Sequence, residues 1–158
     1  METEILKYIL TSHGSVDREE LECNLGDASL IAQIIRDNND KFVACSFNGT
    51  WKVVVRSRVR LCRVKDCQRV GCEGLHLCKN LLLSGDCQFQ QSRRGCSFCH
   101  DLKSENNLEV LRSFGLETLK RTEVCLLLLQ SDNTLLPQVS ISNTAGSLQR
   151  IYSYIFHK

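Results

Sequence analysis

A chain of 158 residues, 42% hydrophobic and with a net charge of +2, suffices for one ordinary domain or a helical unit plus a metal-stabilised segment; it excludes a wholly disordered protein. The small net charge excludes arguing a polyanion partner from bulk composition, so only the distribution of charge can make that case. Ten cysteines would suit a secreted disulfide scaffold. However, Met1 to Leu10 mixes acidic with apolar residues and shows no signal-peptide pattern, so a reducing compartment with metal as the competitor for the thiols is expected.

Ile5, Leu6, Ile9 and Leu10 recur at helical spacing, and His13-Gly14 interrupts them. Asp17 with Glu20 three residues on reads as a capping box for a second helix. Asp27 can cap a third, with Leu30, Ile31, Ile34 and Ile35 on its apolar face and Asn38-Asn39 at its end. Phe42 to Phe47 and Thr50 to Val55 flank Asn48-Gly49, the favoured dipeptide of a two-residue type I′ hairpin turn. Three helices and a hairpin make a winged helix-turn-helix over residues 1–60. Its third helix offers only Gln33 and Arg36 against Asp27, Asp37 and nearby Asp40, so duplex DNA is disfavoured and a structural or docking role is expected.

From 61 to 101 the periodicity disappears, cysteines crowd in, and no long apolar run remains for a conventional core. Beyond it, Ser104 to Phe114 reads as a helix stopped by Gly115, and Glu123 to Gln130 as a short, largely buried one before Pro137. The segment 102–139 is expected to pack on what precedes it. The longest apolar run, Val124 to Leu129, is far short of the roughly 20 residues that span a bilayer, so no membrane contact is expected.

The cysteines fall in register. Cys62, Cys67, Cys72 and His76 have four, four and three residues between them; Cys78, Cys87, Cys96 and His100 have eight, eight and three. Three thiolates and an imidazole fill a tetrahedral zinc ion and leave no position for water, which describes two structural sites and two zinc ions per chain. Metal binding should supply most of the segment's folding free energy, on the order of 10 kcal/mol per site. Cys99 leaves an alternative open, because Cys96 to Cys99 is a chelating spacing that would displace His100 or Cys96. Cys23, Cys45 and Cys125 read as small core residues. Neither finger has the His-x-Glu of a zinc deaminase, so no catalysis is expected. A RING-type interaction module would need more two-residue spacings than Cys96 to Cys99 supplies.

Eight basic residues lie between Lys52 and Lys79 (Lys52, Arg56, Arg58, Arg60, Arg63, Lys65, Arg69, Lys79) against Asp66 and Glu73. Such a run is either a solvated face or a phosphate-contacting strip. Phe89 and Phe98 each sit two residues after a cysteine ligand, where a short loop buries a ring poorly; they either cover the zinc core or stack on unpaired bases. Electropositive surface beside base-sized aromatic surface is what single-stranded RNA requires.

The run from Leu61-Cys62-Arg63 through Leu75-His76-Leu77-Cys78-Lys79, the spacing to Cys96 and His100, Asn107 to Leu111, and Leu127 to Asp132 with Leu135-Leu136-Pro137 closely resemble the amino-terminal domain of the zinc-finger antiviral proteins. That family includes CCCH-finger poly(ADP-ribose) polymerases. The resemblance covers residues 1–139 and implies a cytoplasmic sensor, with a nuclear pool allowed, that binds CpG-rich viral RNA and recruits RNA-decay factors. Matched by position, Lys79, Phe89 and Phe98 fall on the CpG pocket, and Arg63 and Lys65 on the basic strip along the RNA backbone. Both phenylalanines replace tyrosines, so stacking is retained while a phenol hydrogen bond is lost. The family domain continues with two more fingers, whereas residues 140–158 match nothing in it and read as a divergent or truncated end. The reading is a small α+β RNA-binding module. The alternatives are the RNA-targeting fragment of a mono-ADP-ribosyltransferase relative, or a protein-interaction zinc module.

Overall fold

In the computed structural model, which describes residues 1–135, the first helix α1 (Glu2–Thr11) buries Ile5, Leu6, Ile9 and Leu10 along one stripe. Strand β1 (Ser15–Asp17) leads into α2 (Arg18–Leu25) and α3 (Ala28–Asp37), and then the hairpin of β2 (Phe42–Phe47) and β3 (Thr50–Val55). Asn48 and Gly49 both adopt positive φ, 49° and 79°, as the type I′ turn demands. Asp27 caps α3 as its position suggests, accepting from the backbone N–H of Ser29 at 2.9 Å and Leu30 at 3.0 Å.

Three expectations for this half are corrected. Asp17 stands at the N-cap of α2 but does not cap it with its side chain; its carboxylate pairs with Lys52 at 2.8 Å across the sheet, and the Glu20 carboxylate accepts from Tyr8. That pair exists because β1 adds to the hairpin as a third antiparallel strand, in the order β1-β3-β2 and with Asp17 opposite Lys52. Cys23 is exposed rather than part of the core, because it lies two residues from Leu21, the one buried residue of α2, and so on the opposite side of the helix. Cys45 is half-buried, and of these three only Cys125 is a core thiol, its pKa pushed up to about 11 by burial.

The cysteine-rich segment also has more core than its composition suggests. Two-residue strands β4 (Arg60–Leu61) and β5 (Gly74–Leu75) pair in parallel, and a six-residue helix α4 (Lys79–Ser84) follows. Leu61, Leu75, Leu77 and Leu82 are buried in the same apolar cluster as α1 and the sheet. These side chains are isolated in sequence because loops separate them, so no period reveals them. Gly74 is required for the strand pairing: a Cβ there would meet the Cys62 Cβ at 2.9 Å and its Cα at 3.0 Å.

Helix α5 (Glu105–Ser113) stops just before Gly115 at φ 69°. Helix α6 (Arg121–Ser131) buries six consecutive residues, Val124 to Leu129, so it is apolar around its circumference, as a central helix must be. It packs against α1 and α4. At its start Glu123 accepts from the Lys120 backbone N–H at 2.7 Å, and Arg121 donates to the terminal carbonyls of α4, Leu81 at 3.1 Å and Leu82 at 2.7 Å. At its far end Gln130 donates to the Gly14 carbonyl at 2.9 Å. A 3-10 turn, Asn133–Leu135, closes the described chain; Leu136, Pro137 and the divergent tail at 140–158 lie outside the described residues. Among the described residues no helix is long and apolar enough to cross a membrane.

Gly14 sits at φ 87°, and a Cβ there would lie 2.5 Å from the Gln130 amide. Gly14→Ala is therefore expected to displace Gln130 and to strain the backbone, lowering unfolding free energy by about 2 kcal/mol. A urea-denaturation midpoint unchanged from wild type would show that the seam between α1 and α6 does not depend on this contact.

Candidate metal centres and the cavity beside them

Two clusters of four ligands come together, Cys62, Cys67, Cys72 and His76 in one and Cys78, Cys87, Cys96 and His100 in the other, with all donor atoms of a cluster within 4.8 Å of one another. Zinc with Zn–S bonds of 2.3 Å places tetrahedral thiolates about 3.8 Å apart. The Cys78 sulfur lies 3.7 Å from both Cys87 and Cys96. That separation is an edge of a zinc tetrahedron and is far too long for a disulfide. The Nε2 atoms of His76 and His100 are buried without a hydrogen-bond partner. A buried imidazole nitrogen aimed at three sulfurs needs a cation, so the donor set fits zinc at both positions. The chain accordingly holds two zinc ions in closed sites.

The protein supports these thiolates with backbone dipoles. Burial pushes the Cys62 thiol up, against a hydrogen bond from the Val64 N–H, while the Arg69 N–H pulls Cys67 down. Burial likewise works against ionised Cys87, but N–H groups of Phe89 and Gln90 and the neighbouring thiols bring it down overall. Amide donors of this kind hold ligands in place and spread the excess negative charge of a three-thiolate site. Cys99 stands apart from the ligands. Its sulfur accepts from the Asp101 N–H at 3.3 Å, and its carbonyl accepts from the Cys78 N–H at 2.8 Å.

One residue ties the two centres together, and its role was not legible in the sequence. Asn107 on α5 is fully buried. Its Oδ1 accepts from the His76 N–H at 2.8 Å; its Nδ2 donates to the carbonyls of His76 at 3.0 Å and Asp101 at 2.9 Å. It therefore grips the last ligand of the first finger and the residue following the last ligand of the second. An asparagine in a helix ordinarily reads as a solvated position, and no local signal marks it otherwise.

Beside the second centre lies a cavity of about 360 Å³, lined among others by Arg63, Lys79, Asn80, Phe89, Phe98 and Leu135. The structure thus brings together four of the five residues singled out for RNA contact. Phe89 and Phe98 remain 49% and 38% exposed, so neither ring is consumed by the finger's own core. Lys79 opens α4, with Cys78 as its N-cap. Lys65 is exposed but does not line the cavity. Arg63 is held from the turn after α6: its guanidinium donates to the Thr134 hydroxyl and lies 3.7 Å from Asp132. Burial works against the Asp132 carboxylate, but hydrogen bonds from Thr134 and the cations Arg60 and Arg63 hold its pKa below the usual range.

The fold and these paired centres define a tandem CCCH zinc-finger protein. Residues 60–107 match the family described as the PARP12-like CCCH zinc finger tandem. Over 142 residues, 85% of this chain, it is 40% identical to the zinc finger CCCH-type antiviral protein 1 of Rattus norvegicus, of which it spans 18%. It is 31% identical over 148 residues to the protein mono-ADP-ribosyltransferase PARP12 of Homo sapiens, covering 86% of this chain and 21% of that protein. It is also 36% identical over 109 residues to the human zinc finger CCCH-type antiviral protein 1-like, covering 67% and 35%. The chain therefore spans about a fifth of the length of the first two relatives.

Asn107→Leu keeps the helix and roughly the volume but strands three backbone groups. It is expected to lower stability by about 2 to 4 kcal/mol and to speed loss of both zinc ions to a chelator. Zinc release at the wild-type rate from either finger would show that Asn107 does not couple them.

Proposed function

We propose that this chain binds single-stranded RNA through the cavity beside its second zinc centre. The observation that carries the reading is the convergence of two half-exposed rings, Phe89 and Phe98, with two cations, Arg63 and Lys79, around one opening. Unpaired bases stack on such rings while phosphates meet the cations. The kinship with antiviral proteins supports a role in antiviral defence; the ligand proposed is CpG-containing viral RNA, and the role that of an RNA sensor, or part of one, in the cytoplasm that hands its RNA to decay factors. The zinc ions hold the platform and do no chemistry, because each site has its four ligands in place. In this reading the chain is a binding module rather than an enzyme.

The order helix, strand, two helices and hairpin, with the first strand joining the hairpin, supports a winged helix-turn-helix for residues 1–60. Residues 61–101 are then the fingers, and 102–139 the helical segment packed on them. A docking role suits the winged unit better than DNA reading, since α2 and α3 carry few cations. The similarity to human PARP12 favours one second reading, in which the same RNA site serves as the targeting segment of a mono-ADP-ribosyltransferase relative.

Phe89→Ala is expected to weaken binding to single-stranded RNA by about 1 to 3 kcal/mol, the value of one stacked base, with zinc content still at two. Fluorescence anisotropy with CpG-containing and CpG-free oligonucleotides measures it, and equal affinity of mutant and wild type for both would return the ring to a structural role. Ribonuclease-resistant capture of protein partners without crosslinked RNA would favour an interaction module instead.

Reversing Arg63 and Lys65 to Glu is expected to weaken binding to all sequences alike and to flatten the dependence of log Kd on log salt, because phosphate contacts position a strand without reading it. An unchanged salt slope would mark the strip as merely solvated.

A further inference from the structure

Phe98 belongs to two cavities. One is the opening it shares with Phe89; the other, of about 180 Å³, is walled by the first finger through Val64, Asp66, Cys67, Gln68 and His76. A ring that forms a wall of two adjoining cavities can stack with a base in each. Val64 is 53% exposed and supplies an apolar surface for this second space.

Asp66 is the unexpected group. It is one of only two acids in the basic run from Lys52 to Lys79 and opposes the attraction of phosphate there. It sits at φ 49°, directly before the ligand Cys67, so the turn that displays it is fixed by the metal centre. Asp66 and Gln68 have no side-chain hydrogen bond or ion pair among the described residues.

We propose that the smaller cavity is a subsite for a second unpaired base of the same strand, stacked against Phe98 from the first-finger side and read at its edge by Asp66 and Gln68. This rests on the single-strand reading above and adds to it a rule of base choice. An ionised carboxylate only accepts hydrogen bonds. Adenine, cytosine and guanine each present an exocyclic amino group that can donate to it. Uracil presents one N–H between two carbonyl oxygens, which the carboxylate repels. The subsite therefore selects against uracil, and the first finger contributes sequence information as well as charge.

The test uses the full zinc-loaded chain and a pool of random single-stranded hexaribonucleotides, with bound species sequenced, for wild type, Asp66→Asn and Phe89→Ala. Wild type is expected to deplete uracil at one position by roughly tenfold, the scale of one lost edge pairing. Asp66→Asn is expected to abolish that depletion, since an amide both donates and accepts, while keeping two zinc ions. Phe89→Ala should blur a neighbouring position and leave the uracil depletion in place. A uniform rise in affinity for all sequences in Asp66→Asn, with the base profile unchanged, would overturn the subsite by showing Asp66 to act only as charge. RNA binding with a Phe89 effect but no uracil-depleted position would also overturn it and leave the RNA reading standing. No RNA binding by wild type would end both.

Discussion

Closing two tetrahedra within one short stretch of chain is the constraint on which everything else here depends. Each zinc ion fixes four donor atoms at set separations, so the loops between them have little freedom left, and residues beside the ligands are placed by the metal. That is why Phe98, two residues from both Cys96 and His100, and Asp66, next to Cys67, can be displayed at the surface without a hydrophobic core beneath each loop. The parallel pairing of β4 with β5 and the buried Asn107 carry this order outward, joining the fingers to α5 and so to the apolar cluster.

The site combines a rigid base with a cation already paired. Arg63 reaches the cavity from the first finger but rests on Thr134 and Asp132, which belong to the turn after α6. A pairing of this sort orders the guanidinium and limits its rotamers, at the expense of a carboxylate close to where a phosphate would bind. The central helix thus reaches the surface of the proposed interface through the turn that follows it, and Leu135 of that turn lines the same cavity.

Much of this was legible because it is written in local patterns. Ligand spacing revealed both metal centres, Asn48-Gly49 revealed its turn, and the Asp27 cap and Gly115 stop fixed helix ends. What was not legible depends on partners distant in sequence. The third strand is only three residues long and exists because the hairpin offers it an edge. The leucines at 61, 75, 77 and 82 are apolar residues without a period, assembled into a core by loops the metal shapes. Asn107 looks like any helical asparagine until its three backbone partners, about thirty and six residues away, are brought to it. Asp17 was misread for the converse reason, because the local capping pattern was present but Lys52 offered a stronger, charged partner.

The bond from Gln130 to the carbonyl of Gly14 joins positions 116 residues apart and has a consequence for the nascent chain. The apolar stripe of α1 is made well before α6, one of its packing partners and among the last of the described elements in chain order. The first helix and sheet must therefore wait with part of their core uncovered while the fingers, whose metal ligands all lie between Cys62 and His100, load metal and close. Completion of this part of the fold is vectorial: metal acquisition can begin during synthesis, whereas burial of α1 is settled only when α6 arrives to cover it.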